Sequence, residues 1–236
     1  MSAIKLENIL FIDIETAPIH YQYTSLSETE KELWDKKMFY AKDSTPEQQY
    51  AKAGIYAEFA KVVCIGLGYI SEGKFRTKAI VGESEHDILT EFSKLLGQFF
   101  NTKDHFLCAH NGKEFDYPFL CRRLLVNKIA LPKLLQLQGF KPWEVKHLDT
   151  MEMWRFGDVK NFTSLNLLAH VFEIPSPKDD IDGSQIAKVY YEEKNIERIK
   201  YVIKKLNKRQ LRESIIDAEK ANETALKNLD KLYIVE

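Results

Sequence analysis

Short apolar runs alternate with longer amphipathic segments along this chain, and the pattern predicts both strands and helices. The short runs are rich in β-branched residues, which is typical of strands. The predicted strands cover residues 8–15, 61–70, 75–81, 106–109 and 145–149. The second and third are expected to form a hairpin around Ser71-Glu72-Gly73, whereas the later strands alternate with helices. This order predicts an α/β layer fold with a mixed five-stranded sheet flanked by helices.

The flanking helices are predicted from apolar residues that recur every three or four positions. Ser84 is expected to cap a helix whose buried stripe runs from Ile88 to Phe99. A second helix is predicted over about 115–126, and Thr163 is expected to cap a third. From about Gly183 onward the chain is predicted to be helical.

Residues 19–60 differ from their surroundings because they are polar, with scattered aromatic residues and helical spacing in places. Thr45-Pro46-Glu47 is typical of a helix start. We interpret the segment as a helical insertion after the first strand. The whole chain, residues 1–236, is expected to form one domain with this insertion and a divergent helical C-terminus at about 199–236.

Composition excludes several classes of protein. Thirty-four basic and 35 acidic residues give a net charge of −1, so contact with nucleic acid must come from local patches. A hydrophobic content of 44% is that of a globular protein. Three cysteines without a C-x-x-C pair argue against a disulfide framework or a zinc ribbon. The apolar run after Asn8 is too short for an export signal, and no run could span a bilayer. We therefore expect a cytoplasmic protein without membrane contact.

Two acidic residues at the end of the first strand are the first candidates for chemistry. Asp13 and Glu15 lie two positions apart, so both side chains point to one face of the strand, whereas Ile12 and Ile14 point to the other. Two buried carboxylates repel each other unless something neutralises them. Protonation, a basic side chain or a divalent cation such as Mg²⁺ or Mn²⁺ would do so.

A second polar segment, HNGKEFDY at 110–117, follows a predicted strand and begins a helix. Asp116 falls in the first helical turn, where the helix dipole favours a carboxylate. Asn111 stands at the strand exit, where its amide can reach a substrate. Alone, this segment is also typical of an ordinary helix start with an acidic first turn.

Taken together, the segments resemble one enzyme family. They are FIDIET (11–16), AHNGKEFDYPFL (109–120), HLDTMEMWRFGD (147–158) and PSPKDDIDGSQ (175–185). The chain resembles the DEDD superfamily of 3′–5′ exonucleases, which have a ribonuclease H-like fold, from about residue 8 to about residue 198. It is most similar to the predicted exonucleases related to the proofreading domain of family-B DNA polymerases.

The resemblance implies four acidic residues that hold two Mg²⁺ or Mn²⁺ ions and hydrolyse phosphodiester bonds from the 3′ end of single-stranded nucleic acid, with DNA favoured over RNA. By this resemblance Asp13 would bridge both ions, Glu15 would hold the ion that carries the attacking water, and Asp116 would hold the other. The implied substrate contacts are Asn111, Phe115 and Thr16.

The third motif of the family, a Tyr or His four or five residues before a final Asp, is not matched cleanly. Without a gap, that Asp is expected near Lys205 or Leu206, and Tyr201 lies four residues before Lys205. With an insertion, Asp217 is the candidate for the fourth acid, with Glu213 four residues before it. Either Asp217 completes the set, or the fourth acid is absent and the site is impaired.

The remaining candidates have two interpretations each. Asp149 is expected to cap the helix that follows it, or else to lie near the ions. The acids at 179, 180 and 182 are expected to form a helix cap. Seven basic residues between Arg198 and Arg212 form a solvated helix face or a surface that positions phosphates. Two further functions stay open: a catalytically impaired nucleic-acid-binding module and an exoribonuclease of the same superfamily.

Overall fold

The computed structural model describes residues 4–40, 44–82, 84–158, 160, 162–173, 181 and 183–203. A five-stranded sheet with the order β3-β2-β1-β4-β5 lies at its centre. Its strands are β1 (Ile9–Pro18), β2 (Ala60–Ser71), β3 (Lys74–Ile80), β4 (Phe106–Ala109) and β5 (Leu148–Asp149). The first three strands pair antiparallel, whereas β1–β4 and β4–β5 pair parallel. The predicted mixed sheet is confirmed.

Helices cover both faces of this sheet, and two more lie in the insertion after β1. The α-helices are α1 (Glu28–Met38), α2 (Pro46–Gln49), α3 (Glu85–Phe99), α4 (Asp116–Val126), α5 (Thr150–Arg155), α6 (Leu165–Val171) and α7 (Ile186–Lys188), which continues as a π-helical turn (Val189–Glu193). Residues 196–203 are also helical. Within the described ranges, no helix is long and apolar enough to cross a membrane.

Several predicted boundaries need correction. Strand β1 runs three residues further than predicted because β2 continues to pair with it beyond an irregularity at Glu15/Thr16. The N-cap of α6 is Ser164, whose side chain accepts a hydrogen bond from the Leu167 backbone, and not Thr163. Phe99 lies outside the buried stripe of α3 because the last turn of that helix faces solvent.

The two faces of β1 carry different side chains. Ile12 and Ile14 belong to the main core, which α3 and α4 cover. Glu15 pairs with Cys64 of β2 and therefore faces the opposite side, together with Ala17. This second side is covered by apolar side chains from later in the chain: Ile181, Ile186, Val189, Ile199, Val202 and Ile203. Both faces of the central strand are thus buried.

The insertion between β1 and β2 has a small core of its own. Trp34 is fully buried there, and its ring meets Tyr50 and Phe59 edge-on with centroids 5.1 and 5.0 Å away. The insertion is tied to β1 by a hydrogen bond of 2.7 Å from the Thr16 hydroxyl to the Gly54 carbonyl. It therefore stands at the end of β1 where the candidate carboxylates lie.

A buried ion pair joins α3 and α4, the two helices that cover the main core. The guanidinium of Arg123 on α4 donates to both carboxylate oxygens of Glu85 on α3, at 2.8 and 2.5 Å. Arg123 also donates to the Ala57 carbonyl, and Glu85 accepts from the Val62 backbone N–H. This network fixes both helices to the beginning of β2.

Candidate functional site

The candidate site lies where the central parallel strands end. Strand β4 pairs with the first half of β1, with Phe11 opposite Cys108, and it ends at Ala109. The chain therefore leaves β4 alongside the second half of β1, where Asp13 and Glu15 lie. Carboxyl ends of neighbouring parallel strands are the usual position of sites in α/β sheets.

The structure brings three of the predicted acidic residues together. One carboxylate oxygen of Asp116, in the first turn of α4, accepts a hydrogen bond of 3.1 Å from the backbone N–H of Ile14. Ile14 lies between Asp13 and Glu15, so Asp116 is fixed next to both. Asp116 and Glu15 are 4% and 8% exposed, and Asp13 is half-buried.

These three carboxyls raise one another's pKa. Burial raises the pKa of Asp13 well above its usual value, and Glu15 adds to the rise. Burial followed by the charge of Asp116 raises the pKa of Glu15 from 4.5 to about 8. Burial raises the pKa of Asp116 as well, with Asp13 as the next cause. Without a positive charge beside them, each of the three carboxyls is harder to ionise than it would be in water.

The donor set fits a hard divalent cation, because carboxylate oxygens are what Mg²⁺ and Mn²⁺ prefer. The residue opposite Asp13 on β2 is Gly66, which places no side chain beside it. Among the described residues, no three histidine, cysteine or acidic side chains are arranged so that they could bind one metal ion without moving. Asp13, Glu15 and Asp116 would therefore have to turn toward a shared ion.

Asn111 adds a polar group without a partner. Its backbone has a φ of 64°, a left-handed conformation that is uncommon outside glycine and that clusters at functional sites. Its side-chain oxygen Oδ1 is buried, and in the described part of the chain nothing donates a hydrogen bond to it. A buried acceptor left in this state points to a donor supplied by a ligand or by water.

Asp149 fixes the loop that carries Asn111. Its carboxylate accepts hydrogen bonds from the backbone N–H groups of Asn111 and Lys113, at 2.9 and 3.0 Å. It also accepts from Met151 and Glu152, at 3.0 and 3.4 Å, so the predicted helix cap on α5 is confirmed. The sequence indicated the helix cap. It did not indicate the hydrogen bonds that Asp149 accepts from the loop backbone, because these depend on the pairing of β4 with β5.

Neighbouring side chains reinforce this loop. The His110 ring lies 2.8 Å from the Thr150 hydroxyl and 2.8 Å from the Thr163 carbonyl, so both ring nitrogens have protein partners. Burial lowers the pKa of His110. An ion pair of 2.7 Å joins Lys113 to Glu152 on α5. The loop is thus held in place before any substrate binds.

Two of the predicted substrate contacts have structural partners. The Thr16 hydroxyl donates its hydrogen bond to the Gly54 carbonyl. The Phe115 ring packs against the main core and lies 5.5 Å from the ring of Phe119. Their contact with a substrate stays a prediction.

The third motif falls largely outside the described residues. Asp217, Lys205, Glu213 and the acids at 179, 180 and 182 all lie there. Tyr201 is described, and it is 57% exposed on the helical stretch 196–203. Two residues of the basic run are also described. Arg198 is paired with Glu193 at 2.6 Å, and Lys200 with Glu197 at 2.5 Å.

Comparisons with known proteins agree with this architecture. A family model described as the RNase H superfamily matches residues 52–230, a range that begins after β1 and so omits Asp13 and Glu15. The fold is similar to the structure of the family B DNA polymerase from the hyperthermophilic archaeon Pyrobaculum calidifontis, with a TM-score of 0.54 and 13% identity. That match covers 86% of this chain and 23% of the polymerase chain. No curated protein matches the chain.

Proposed function

Because the chain belongs to the RNase H superfamily, we propose that it is a metal-dependent 3′–5′ exonuclease. It would hydrolyse phosphodiester bonds at the 3′ ends of single-stranded nucleic acid, with the help of two Mg²⁺ or Mn²⁺ ions. DNA is favoured over RNA as the substrate. The observation that carries this proposal is the grouping of the half-buried Asp13 with the buried Glu15 and Asp116, three carboxyls that raise one another's pKa.

Such a group is costly for a fold, and its cost supports a functional role. Burying carboxyls next to one another destabilises the charged state of each. Perturbed acids of this kind concentrate at functional sites. A divalent cation would neutralise the repulsion between the carboxylates, and the carboxylates would bind it.

Each residue has a distinct task in this proposal. Asp13, Glu15 and Asp116 would hold the ions, which supply an activated water and stabilise the charge that develops on the phosphate. The buried Oδ1 of Asn111 would accept a hydrogen bond from the 3′-terminal nucleotide, whose hydroxyl is a suitable donor. Asp149 would keep Asn111 in position through its bonds to the loop backbone.

The fourth acid is assigned to Asp217 in this proposal. A general base typically raises the rate about 10²–10⁴-fold. A poorly matched base would therefore slow the enzyme without abolishing its activity. Loss of an ion ligand would be more severe.

The experiment uses a 5′-labelled single-stranded oligonucleotide with Mg²⁺ or Mn²⁺. We expect products shortened stepwise from the 3′ end, and we expect Asp13→Asn to abolish them. Asp104→Asn is the matched control, because Asp104 is exposed and lies outside the site. The absence of degradation with both ions, or equal degradation by Asp13→Asn, would refute the proposal. The same assay with an RNA of equal sequence separates a deoxyribonuclease from an exoribonuclease.

A nucleic-acid-binding module without turnover is the second candidate. It is favoured by the sequence near Lys205 and Leu206, where an ungapped comparison expects the final acid and neither residue is acidic. This candidate predicts oligonucleotide binding that weakens as salt rises, with no products at any time point.

A further inference from the structure

A cavity of about 480 Å³ opens just beyond the end of β1, between the insertion and α7. Three tyrosines, Tyr21, Tyr23 and Tyr50, line it, and Pro18 at the end of β1 forms part of its wall. The volume lies within the range of pockets that bind small organic groups. None of the residues assigned to the proposed reaction lines this cavity.

We propose that this cavity receives one base of the single-stranded substrate, a base inside the strand and not the one at the reacting 3′ end. The inference rests on the proposed function and extends it by a second point of contact. Aromatic side chains bind unpaired bases by stacking, and every base offers a flat face for this contact. A tyrosine-lined cavity on a nuclease fold therefore suits a nucleobase.

The position of the cavity agrees with an internal base. Pro18 lies three residues along β1 from Glu15, which corresponds to roughly 10 Å of extended chain. A nucleic-acid strand whose end lies at Glu15 therefore has its next nucleotides within reach of the cavity.

The wall of the cavity is preformed. The hydroxyl oxygen of Tyr191 lies 2.6 and 2.7 Å from the carbonyl oxygens of Pro18 and Ile19, and it donates its one hydrogen to this pair of acceptors. The ring of Tyr191 stacks on Tyr21 with centroids 5.2 Å apart. Tyr50 is buried and donates to the His20 carbonyl at 3.0 Å. Because these groups are already ordered, a base that binds there meets a small entropic cost.

The charges at the rim fit a base and not a phosphate. Among the described residues, two carboxylates and one cation line the cavity: Glu47, Glu192 and Lys188. The carboxylate of Glu192 already accepts a hydrogen bond of 2.6 Å from the Tyr21 hydroxyl. A phosphate would be repelled by this rim, whereas the exocyclic amino groups of adenine and cytosine can donate to it.

The test measures binding of short oligonucleotides to the full chain carrying Asp13→Asn, which prevents cleavage. One base at a time is replaced by an abasic sugar along a single-stranded DNA. We expect one internal position at which the abasic sugar weakens binding by about five- to a hundredfold, the range given by loss of one stacked base.

Blocking variants assign that position to the cavity. Ala51→Trp and Ser184→Trp each place a large ring in the cavity from exposed positions on opposite walls. In both, the abasic sugar should no longer weaken binding, because the base is already excluded. Gln98→Trp is the matched control, on the exposed face of α3, and it should keep the effect.

Two results would overturn the proposal: a scan in which no internal base matters, or an internal base that matters equally in the blocked variants. If the wild-type chain still shortens the labelled oligonucleotide, only the cavity proposal fails. If no oligonucleotide is bound or shortened, the exonuclease proposal fails with it.

Discussion

Replacement of Glu15 by glutamine is expected to make the metal-free protein less sensitive to alkaline pH. Glutamine has nearly the shape of a protonated glutamic acid but cannot ionise, so the variant removes the charge and keeps the packing. Glu15 is 8% exposed, and its pKa is raised from 4.5 to about 8 by burial and by Asp116.

The size of the effect follows from that pKa. The folded protein binds the proton of Glu15 more tightly than the unfolded chain does. The resulting stability is fully present below pH 4.5 and is lost as the pH rises through about 8. A tenfold change in an ionisation constant corresponds to about 1.4 kcal/mol. The rise from 4.5 to about 8 therefore corresponds to roughly 5 kcal/mol of unfolding free energy.

Urea denaturation in the presence of a chelator, followed by circular dichroism at pH 5 and pH 9, measures this quantity. Wild type should lose several kcal/mol between the two pH values. Glu15→Gln should lose less, because only the raised pKa values of Asp13 and Asp116 remain. Glu32→Gln, at an exposed position on α1, should behave as wild type does. Addition of Mg²⁺ should restore the stability of wild type at pH 9 if the carboxylates hold the ion. Equal losses in wild type and Glu15→Gln would refute the reasoning.

Contacts around the site lead to three other expectations. Gly112→Ala should lower the free energy of unfolding by about 1–3 kcal/mol, because the added Cβ would collide with the side chain of Ala109; an unchanged urea midpoint would contradict this. Arg123→Met should cost about 3–5 kcal/mol, since Glu85 stays buried without its cation, and a double variant with Glu85→Met should recover most of the loss in the same assay. Asp149→Asn should speed hydrogen exchange of the loop amides that its carboxylate binds, by about tenfold or more for a loss of 1.5–3 kcal/mol per charged hydrogen bond; unchanged protection would show that the loop does not depend on it.

Much of the fold could be predicted from the sequence because its signals are local. The hairpin between β2 and β3 is one example, since Glu72 and Gly73 both take the positive φ values of 55° and 71° that a tight hairpin turn requires. Ser84 is another: it caps α3 as predicted, by accepting from the backbone of Asp87.

Several of the predictions that were wrong concern boundaries set by distant partners. β5 has two residues instead of the five predicted, because only Leu148 and Asp149 pair with the end of β4. Strand β1 continues past Glu15 because β2 still pairs with it, which no local pattern in residues 16–18 indicates. The backbone conformation of Asn111 was likewise not predicted, because its loop is held by Asp149, 38 residues away.

For the candidate site, the sequence by itself determined that Asp13 and Glu15 share one face of a strand whose other face carries Ile12 and Ile14, because side chains alternate along an extended backbone. Only the tertiary structure decided that Asp116, 102 residues from Ile14 along the chain, closes the group by accepting the Ile14 backbone N–H. The parallel pairing of β1 with β4 decides that approach, and pairing between distant strands depends on how the whole core packs.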